Sequence, residues 1–323
     1  MASAITFESV AREWLAAQAT SLSPPTLRKA FWMLETFVFK EIGREAITKV
    51  TAPAVLKIVR QLEAKHHHET ARRTTQRIGQ ILRYAIATGR AERDVTADLR
   101  GALVPFKSRS HAALTEPGQV GELLRAIDGY AGQVTTRAGL QLAALLFVRP
   151  GELRGAQWSE FELEGNEPTW RIPAHRMKMG DAHIVPLARQ AVAILSELKG
   201  HTGQGDLVFP ALANKNRPIS ENTLNIGLRR LGYSNEEMTS HGFRTIASTL
   251  LNEKGFHPDL IELQLAHKER NGVRAAYNKA QRLSERRSMM QAWADYLGQL
   301  QAAVRGPGLM SKHRRQSMAS DAT

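Results

Sequence analysis

SHGFRTIASTLL, residues 240–251, predicts a helix with two chemically different faces. At about 100° per residue, the apolar side chains fall on one side of such a helix: Phe243, Ile246, Ala247, Leu250 and Leu251. The opposite side carries His241, Arg244 and Ser248. Because residues three apart are neighbours on a helix, His241 and Arg244 would lie side by side. The stretch therefore predicts a helix that packs by its apolar face and presents an imidazole and a guanidinium on the other.

The next segment, LAHKERNGVRAAYNKA at residues 265–280, adds a second imidazole and a phenol, His267 and Tyr277. Together with Arg244, these groups are suited to binding a phosphate and attacking it. Each also has an ordinary structural interpretation, as a helix-capping histidine, a surface arginine or a half-buried tyrosine.

Two upstream cations are candidates for the same site. Arg149 follows the apolar run GLQLAALLFV at residues 139–148, where a guanidinium is costly unless it is paired. Glu152, three residues on, is a suitable partner, so a purely structural ion pair is the alternative to a phosphate site. Lys178 lies in a turn signal, KMGD, between predicted strands at 169–172 and 183–187, with a further strand near 158–163. Alone, it would be interpreted as a solvated lysine.

The first hundred residues show helical patterns. Ser23-Pro24-Pro25 predicts a helix start, followed by an apolar stripe of Leu27, Phe31, Leu34 and Val38 and a stop at Gly43. Further helices are predicted at about 51–64 and 69–88. The helix at 69–88 has an apolar stripe on one face, formed by Ile78, Ile81, Leu82 and Ala85. Its other face carries four arginines, Arg72, Arg73, Arg77 and Arg83. These arginines could form only a solvated, charged surface of the helix. Because the chain is basic, we interpret them as contacts to a DNA backbone.

The whole pattern predicts a mostly α protein with two domains. The segment GALVPFKSRSHAA, residues 101–113, has the composition of a linker. We expect a helical DNA-binding domain at 1–105, a linker at 106–112 and a second, mainly α domain with a small antiparallel three-stranded sheet at 113–304. The basic tail, residues 305–323, is predicted to be disordered.

Composition bounds the partners and the location. The net charge is +13 and both halves of the chain carry the excess, which favours a long polyanion over a merely basic protein. There is no cysteine, no secretory signal and no apolar run of the roughly 20 residues that a membrane span needs, so we expect a cytoplasmic, nucleoid-associated protein. No cofactor or metal site is expected, because the only histidine run, His66-His67-His68, has no acidic or thiol ligand at a useful spacing.

The order Arg149, Lys178, His241-x-x-Arg244, His267, Tyr277 resembles the active-site set of the tyrosine recombinases, the phage-type integrases. The stretches VRPGELRGAQWSEF, RMKMGDAHIVPL, HGFRTIAST and RRSMMQAWADYL are similar to the satellite-phage and genomic-island branch of that family. The resemblance implies that Arg149 and Arg244 grip the scissile phosphate, that Lys178 is the general acid, that His241 and His267 assist, and that Tyr277 is the nucleophile. The implied product is a 3′-phosphotyrosyl ester and a 5′ hydroxyl, which requires neither ATP nor a metal.

The resemblance also implies partners. These are double-stranded DNA at attachment sites, a homotetramer on paired sites, and a host bending factor or an excisionase. A helix from about Leu283 to Val304 is expected either to dock on a neighbouring protomer or to pack on its own domain. The arm-binding domain that precedes the core-binding domain in this branch is expected to be missing, since the match begins near Phe7. Two alternatives stay open: a catalytically idle, integrase-derived DNA-binding protein, and a type IB topoisomerase-like activity.

Overall fold

The chain forms two compact units, Met1–Arg109 and Ser110–Thr323, in a computed structural model that describes residues 5–105, 112–267 and 282–303. Each unit has its own hydrophobic core. Tyr277, most of the expected linker and the expected disordered tail lie outside the described residues. Within the described ranges, no helix is both long enough and apolar enough to cross a membrane.

The first unit is built from helices. Its α-helices are α1 Phe7–Ala17, α2 Pro24–Met33, α3 Phe39–Ile42, α4 Ala52–Glu63 and α5 His68–Ala87. Short 3-10 turns lie at Gln18–Thr20, Ile47–Lys49 and Val95–Leu99. Thr6 and Thr51 cap α1 and α4 by accepting hydrogen bonds from backbone N–H groups, as N-cap hydroxyls do.

The predicted stripe on α2 is only partly right. A π-helical turn, Leu34–Val38, joins α2 to α3 and inserts an extra residue into the helical spacing. Leu34 and Val38 are fully buried, but Phe31 is 37% exposed, and Ala30 and Met33 take its place in the core. The prediction for Phe31 is therefore wrong, because it assumed an uninterrupted helical period.

Helix α5 has the two faces that its sequence predicts. Ile78, Ile81, Leu82 and Ala85 are buried against the rest of the first unit. Arg72, Arg73 and Arg83 are exposed, and Arg77 is half-buried with its guanidinium over the Trp14 ring.

The second unit combines eight helices in its described part with a small sheet. The helices are α6 Pro117–Asp128, α7 Val134–Leu146, α8 Pro150–Arg154, α9 Arg189–Thr202, α10 Thr223–Arg230, α11 Gly242–Glu253, α12 Pro258–Gln264 and α13 Leu283–Ala302. The strands are β1 Phe161–Glu162, β2 Thr169–Ile172 and β3 His183–Pro186, with 3-10 turns at Trp158–Glu160 and Ala174–Arg176. The sheet is antiparallel in the order β1-β2-β3, which confirms the predicted fold class.

Helix α13 packs into the core of its own unit. Met289, Met290, Trp293 and Leu297 are buried there. The indole N–H of Trp293 donates to the Ala144 carbonyl of α7 over 3.0 Å, and its ring meets Phe147 edge to face. The apolar face of α13 is thus occupied within its own unit.

Candidate active site

The end of α7 positions the first candidate arginine. Helix α7 ends at Leu146, and Phe147 adopts a left-handed conformation with φ 40° that turns the chain out of the helix. Two residues later, Arg149 caps the N-terminus of α8, whose first residue is a proline, as is favoured at that position. Phe147 is fully buried, so its side chain holds this tight reversal in place.

Arg149 forms the ion pair with Glu152 that was the alternative to a phosphate site, and it also makes a second contact. Its Nη1 donates to Glu152 Oε1 over 2.8 Å, and Glu152 Oε2 accepts from the Arg149 backbone N–H over 3.0 Å. Its Nη2 donates to the carbonyl of Ala266 over 3.0 Å, which ties Arg149 to the end of α12. The Glu152 side chain is 4% exposed and that of Arg149 is 17% exposed. The buried carboxylate therefore fixes the guanidinium, which remains partly accessible to solvent.

Arg244 lies deeper than its sequence position suggests. It is 5% exposed, so it is not presented on an open helix face as the amphipathic pattern predicted. Nη1 donates to the Phe147 carbonyl and Nη2 to the Leu265 carbonyl, both over 2.8 Å. Burial, followed by repulsion from Arg149, lowers the pKa of Arg244 to about 10, which leaves the guanidinium protonated near neutral pH.

The C-terminal turn of α12 brings His267 to the same place. Arg244 Nη2 lies 2.9 Å from His267 Nε2, and His267 Nδ1 lies 2.7 Å from Glu262 Oε2. The carbonyls of Leu265 and Ala266, which accept from Arg244 and Arg149, belong to this turn. One short segment therefore collects both candidate arginines and one candidate histidine, although Arg149 and His267 lie more than a hundred residues apart.

The remaining candidates are His241, Lys178 and Tyr277. His241 is the half-buried N-cap residue of α11, one turn from Arg244 on the same helix. Lys178 is exposed in the turn between β2 and β3, where Gly180 takes a φ of +77°. No described residue forms an ion pair with Lys178. Tyr277 lies outside the described residues, and α12 and α13, which flank its segment, both belong to the second unit.

A buried polar layer supports the site, and its residues are not among the predicted ones. His183, at the start of β3, hydrogen-bonds through Nε2 to the Gln264 carbonyl over 3.1 Å. Gln264 Oε1 accepts from Arg286 of α13, and Arg286 also donates to the Ile184 carbonyl over 2.6 Å. Burial, then the positive charges of Arg286, Arg149 and Arg244, lowers the pKa of His183 to about 3. His183 is therefore a neutral histidine, and its Nε2 must carry the proton because a carbonyl only accepts.

A second layer lies under Arg149. Arg176 donates to the Glu152 carbonyl over 2.5 Å and forms a close ion pair with Glu160. Glu160 in turn accepts from the indole N–H of Trp170 in β2 over 2.9 Å. These contacts fix α8 against the sheet, and with it the position of Arg149.

The predicted DNA-contacting arginines of the first unit do not form one group. Arg72, Arg73 and Arg77 line a groove between α2 and α5 together with Lys29. Arg73 is paired with Glu69 over 2.6 Å at the surface, and burial lowers the pKa of Arg77. Arg83 does not line this groove, and it forms an ion pair with Asp94.

Among the described residues, no three histidine, aspartate or glutamate side chains are grouped so that they could hold a metal ion. The site is instead cationic, with two guanidinium groups and an imidazole. Such a constellation is suited to an anion with several oxygens, such as a phosphodiester.

Comparison with known proteins identifies the family. The model of the phage integrase central domain matches residues 7–102, and that of the phage integrase family matches residues 114–283. The integrase of Enterobacteria phage P4 is 40% identical over 309 residues, which cover 91% of this chain and 70% of that protein. Prophage integrase IntA of Escherichia coli (strain K12) is 36% identical over 290 residues, 90% of this chain and 69% of that one.

A similar fold occurs in a lambda integrase tetramer bound to a Holliday junction. That structure matches with a TM-score of 0.66 at 17% identity, over 84% of this chain and 80% of the other. The chain belongs to the phage integrase family, and it is a tyrosine site-specific recombinase.

Proposed function

We propose that this chain cuts and rejoins DNA at the site formed by Arg149, Arg244 and His267, with Tyr277 as the nucleophile. The observation that carries the proposal is the convergence of the two guanidinium groups on the C-terminal turn of α12. Tyr277 is ten positions after His267 in the sequence, so only a short segment joins the phenol to that turn.

The contacts that hold the two arginines leave some of their N–H groups available for further hydrogen bonds. A guanidinium has five N–H groups. Described residues accept hydrogen bonds from two N–H groups of Arg149 and from three N–H groups of Arg244. The others remain for the non-bridging oxygens of a phosphodiester. Because the backbone carbonyls orient both groups beforehand, they stabilise the charge of the five-coordinate transition state without reorganising.

The reaction balances with the side chains named so far. The Tyr277 oxygen attacks phosphorus and the bond to the 5′ oxygen breaks, while Lys178 gives that oxygen its proton. His241 hydrogen-bonds to the phosphate and takes up the proton of the phenol, and His267 assists by holding Arg244 through a hydrogen bond. The products are a 3′-phosphotyrosyl ester and a 5′ hydroxyl, and the reverse reaction with a second 5′ hydroxyl rejoins the strand.

The first unit is proposed to bind the duplex backbone. The groove lined by Lys29, Arg72, Arg73 and Arg77 collects positive charge on one surface, which favours phosphate contact. Arg83 contributes less, because Asp94 already neutralises it. By analogy with the lambda integrase tetramer, four copies of this chain are proposed to act on paired sites.

Trapping of the covalent adduct tests this function and locates the DNA site in the same experiment. Cells that express the protein are lysed in detergent, protein-bound DNA is recovered on a filter, and its ends are sequenced. We expect one recurrent cut site with DNA attached through its 3′ phosphate to Tyr277. The control is Tyr277→Phe, which removes only the attacking oxygen; an adduct that persists in this variant contradicts the proposal.

A further inference from the structure

The turn after α12 has a specific backbone geometry. The Ala266 N–H donates to the Leu263 carbonyl and the His267 N–H to the Glu262 carbonyl, each over 3.1 Å. Ala266 itself has a φ of +50°. This is the Schellman motif, with alanine at the left-handed position that glycine usually occupies. The motif places the first residue after the turn beside the residue three positions before the helix cap, which here are His267 and Glu262.

In this motif the two neighbouring side chains are frequently hydrophobic, whereas here they are an imidazole and a carboxylate. His267 Nδ1 lies 2.7 Å from Glu262 Oε2, and His267 Nε2 lies 2.9 Å from Arg244 Nη2. A guanidinium only donates hydrogen bonds, so Nε2 must be the acceptor in the second contact. The proton of the neutral ring therefore sits on Nδ1, and it is donated to the Glu262 carboxylate.

We propose that Glu262 is a positioning residue of the recombinase site, acting through His267. Its carboxylate selects the Nδ1–H tautomer and fixes the ring plane, so that the lone pair of Nε2 is aimed at Arg244. The inference rests on the proposed function, in which Arg244 contacts the scissile phosphate and His267 holds Arg244.

The physical consequence concerns the orientation of Arg244. Its Nη2 is held between the Leu265 carbonyl and His267 Nε2. In the other tautomer an N–H of the ring would face an N–H of the guanidinium, and the ring would have to turn away. Without Glu262, His267 loses its defined direction toward Arg244, and Arg244 loses one of the contacts that orient it toward the phosphate.

Glu262 is well suited to a test because it contributes little to the core. Its side chain is 53% exposed and that of His267 is 46% exposed. When the Glu262 carboxylate is removed, Glu152 still acts on the buried charge of Arg244. Glu262→Ala removes both the charge and the acceptor. Glu262→Gln keeps an acceptor, since its amide oxygen accepts from Nδ1–H. The matched control is Glu167→Ala, which removes an exposed carboxylate from an ion pair with Arg287 on the same unit.

Two readouts separate a positioning role from a structural one. Nitrogen-15 chemical shifts of histidine-labelled full-length protein, with the His267 signals assigned by a His267→Gln variant, report which ring nitrogen carries the proton. We expect Nδ1–H in the wild type, in Glu262→Gln and in Glu167→Ala, and a change to Nε2–H in Glu262→Ala. Single-turnover cleavage of a nicked duplex that carries the trapped site is expected to fall roughly 10–100-fold in Glu262→Ala, which corresponds to the loss of one hydrogen bond to a charged group, with unchanged duplex binding.

The outcomes distinguish this inference from the proposed function. A wild-type ring with Nε2–H, or a Glu262→Ala protein that keeps the wild-type tautomer, overturns the inference whether or not DNA is cut. A tautomer change without slower cleavage also overturns it, because the ring direction would then not matter to the reaction. Failure of the wild-type protein to form any covalent adduct overturns the proposed function and leaves the tautomer result standing.

Discussion

His183 makes the stability of the second unit sensitive to acid. Its side chain is 8% exposed, and its pKa is lowered from the ordinary 6.5 to about 3 by burial and by the nearby Arg286, Arg149 and Arg244. The folded chain therefore holds His183 neutral at a pH where the unfolded chain binds a proton. Because the folded pKa is depressed, its contribution is fully present above pH 6.5 and is lost as the pH falls from 6.5 toward 3.

The magnitude follows from this window. Between the two pKa values the unfolded state gains stability at about 1.4 kcal/mol per pH unit. From about pH 7.5 to about pH 5, His183 alone should therefore reduce the free energy of unfolding by about 2 kcal/mol. Carboxylates titrate as well, so the effect has to be isolated as a difference between two proteins.

His183→Gln is the informative variant, because its amide N–H can still donate to the Gln264 carbonyl and it cannot be protonated. His201→Gln, at an exposed position in α9, is the matched control. Hydrogen exchange, corrected for the intrinsic rate at each pH, gives the opening free energy of the β2 and β3 peptides. The advantage of the wild type over His183→Gln should shrink by about 2 kcal/mol from about pH 7.5 to about pH 5. A difference that stays constant over this range would refute the assignment of His183 as a buried neutral group.

Three further predictions concern the site and the DNA surface. Arg149→Ala and Arg244→Ala should each slow covalent adduct formation by roughly 10²–10³-fold while duplex binding in a gel-shift assay persists; unfolding of a variant by circular dichroism would favour a purely structural role. Ala266→Gly should raise the free energy of unfolding by about 1 kcal/mol in a urea titration, since it relieves the left-handed conformation, and a loss of stability would contradict the turn geometry. The affinity for duplex DNA should fall steeply with salt, and Arg72→Ala should reduce the slope of its double-logarithmic plot by about 1, whereas Arg83→Ala, already paired with Asp94, should change it little. A wild-type slope in Arg72→Ala would contradict a phosphate contact of Arg72 in the groove.

Much of the fold could be predicted because the relevant signals are local. The stripe Ile78, Ile81, Leu82 and Ala85 identifies the buried face of α5, and the turn signal at Lys178–Asp181 separates β2 from β3. The error at Phe31 has a physical reason. A π-helical turn is set by how the chain packs, so an even helical period cannot anticipate it.

The sequence suggests which side chains to consider as candidates for the site, but not how the folded chain holds them. The sequence indicates Arg149, Arg244 and His267, yet only the folded chain shows that carbonyls of Phe147, Leu265 and Ala266 hold the arginines. Phe147 and Ala266 both adopt left-handed backbone conformations. Sequence rules expect glycine or asparagine at such positions, and the strain is stabilised here by tertiary contacts.

His183 and Glu262 were missed for a related reason. A histidine at the start of a strand and a glutamate in a short helix are ordinary residues in a sequence. Their importance arises from neighbours on other segments, Gln264 and Arg286 for His183, and His267 for Glu262. The burial and the through-space charge that change the behaviour of a side chain are properties of the folded chain.

The most direct test of the proposed chemistry is the identity of the residue that carries DNA after cleavage. The trapped adduct is digested with protease and nuclease, and the modified peptide is identified by mass spectrometry. We predict a nucleotide linked through its 3′ phosphate to Tyr277 in the segment that follows His267. A phosphate on any other side chain, or an adduct of equal yield in Tyr277→Phe, would contradict the proposed chemistry.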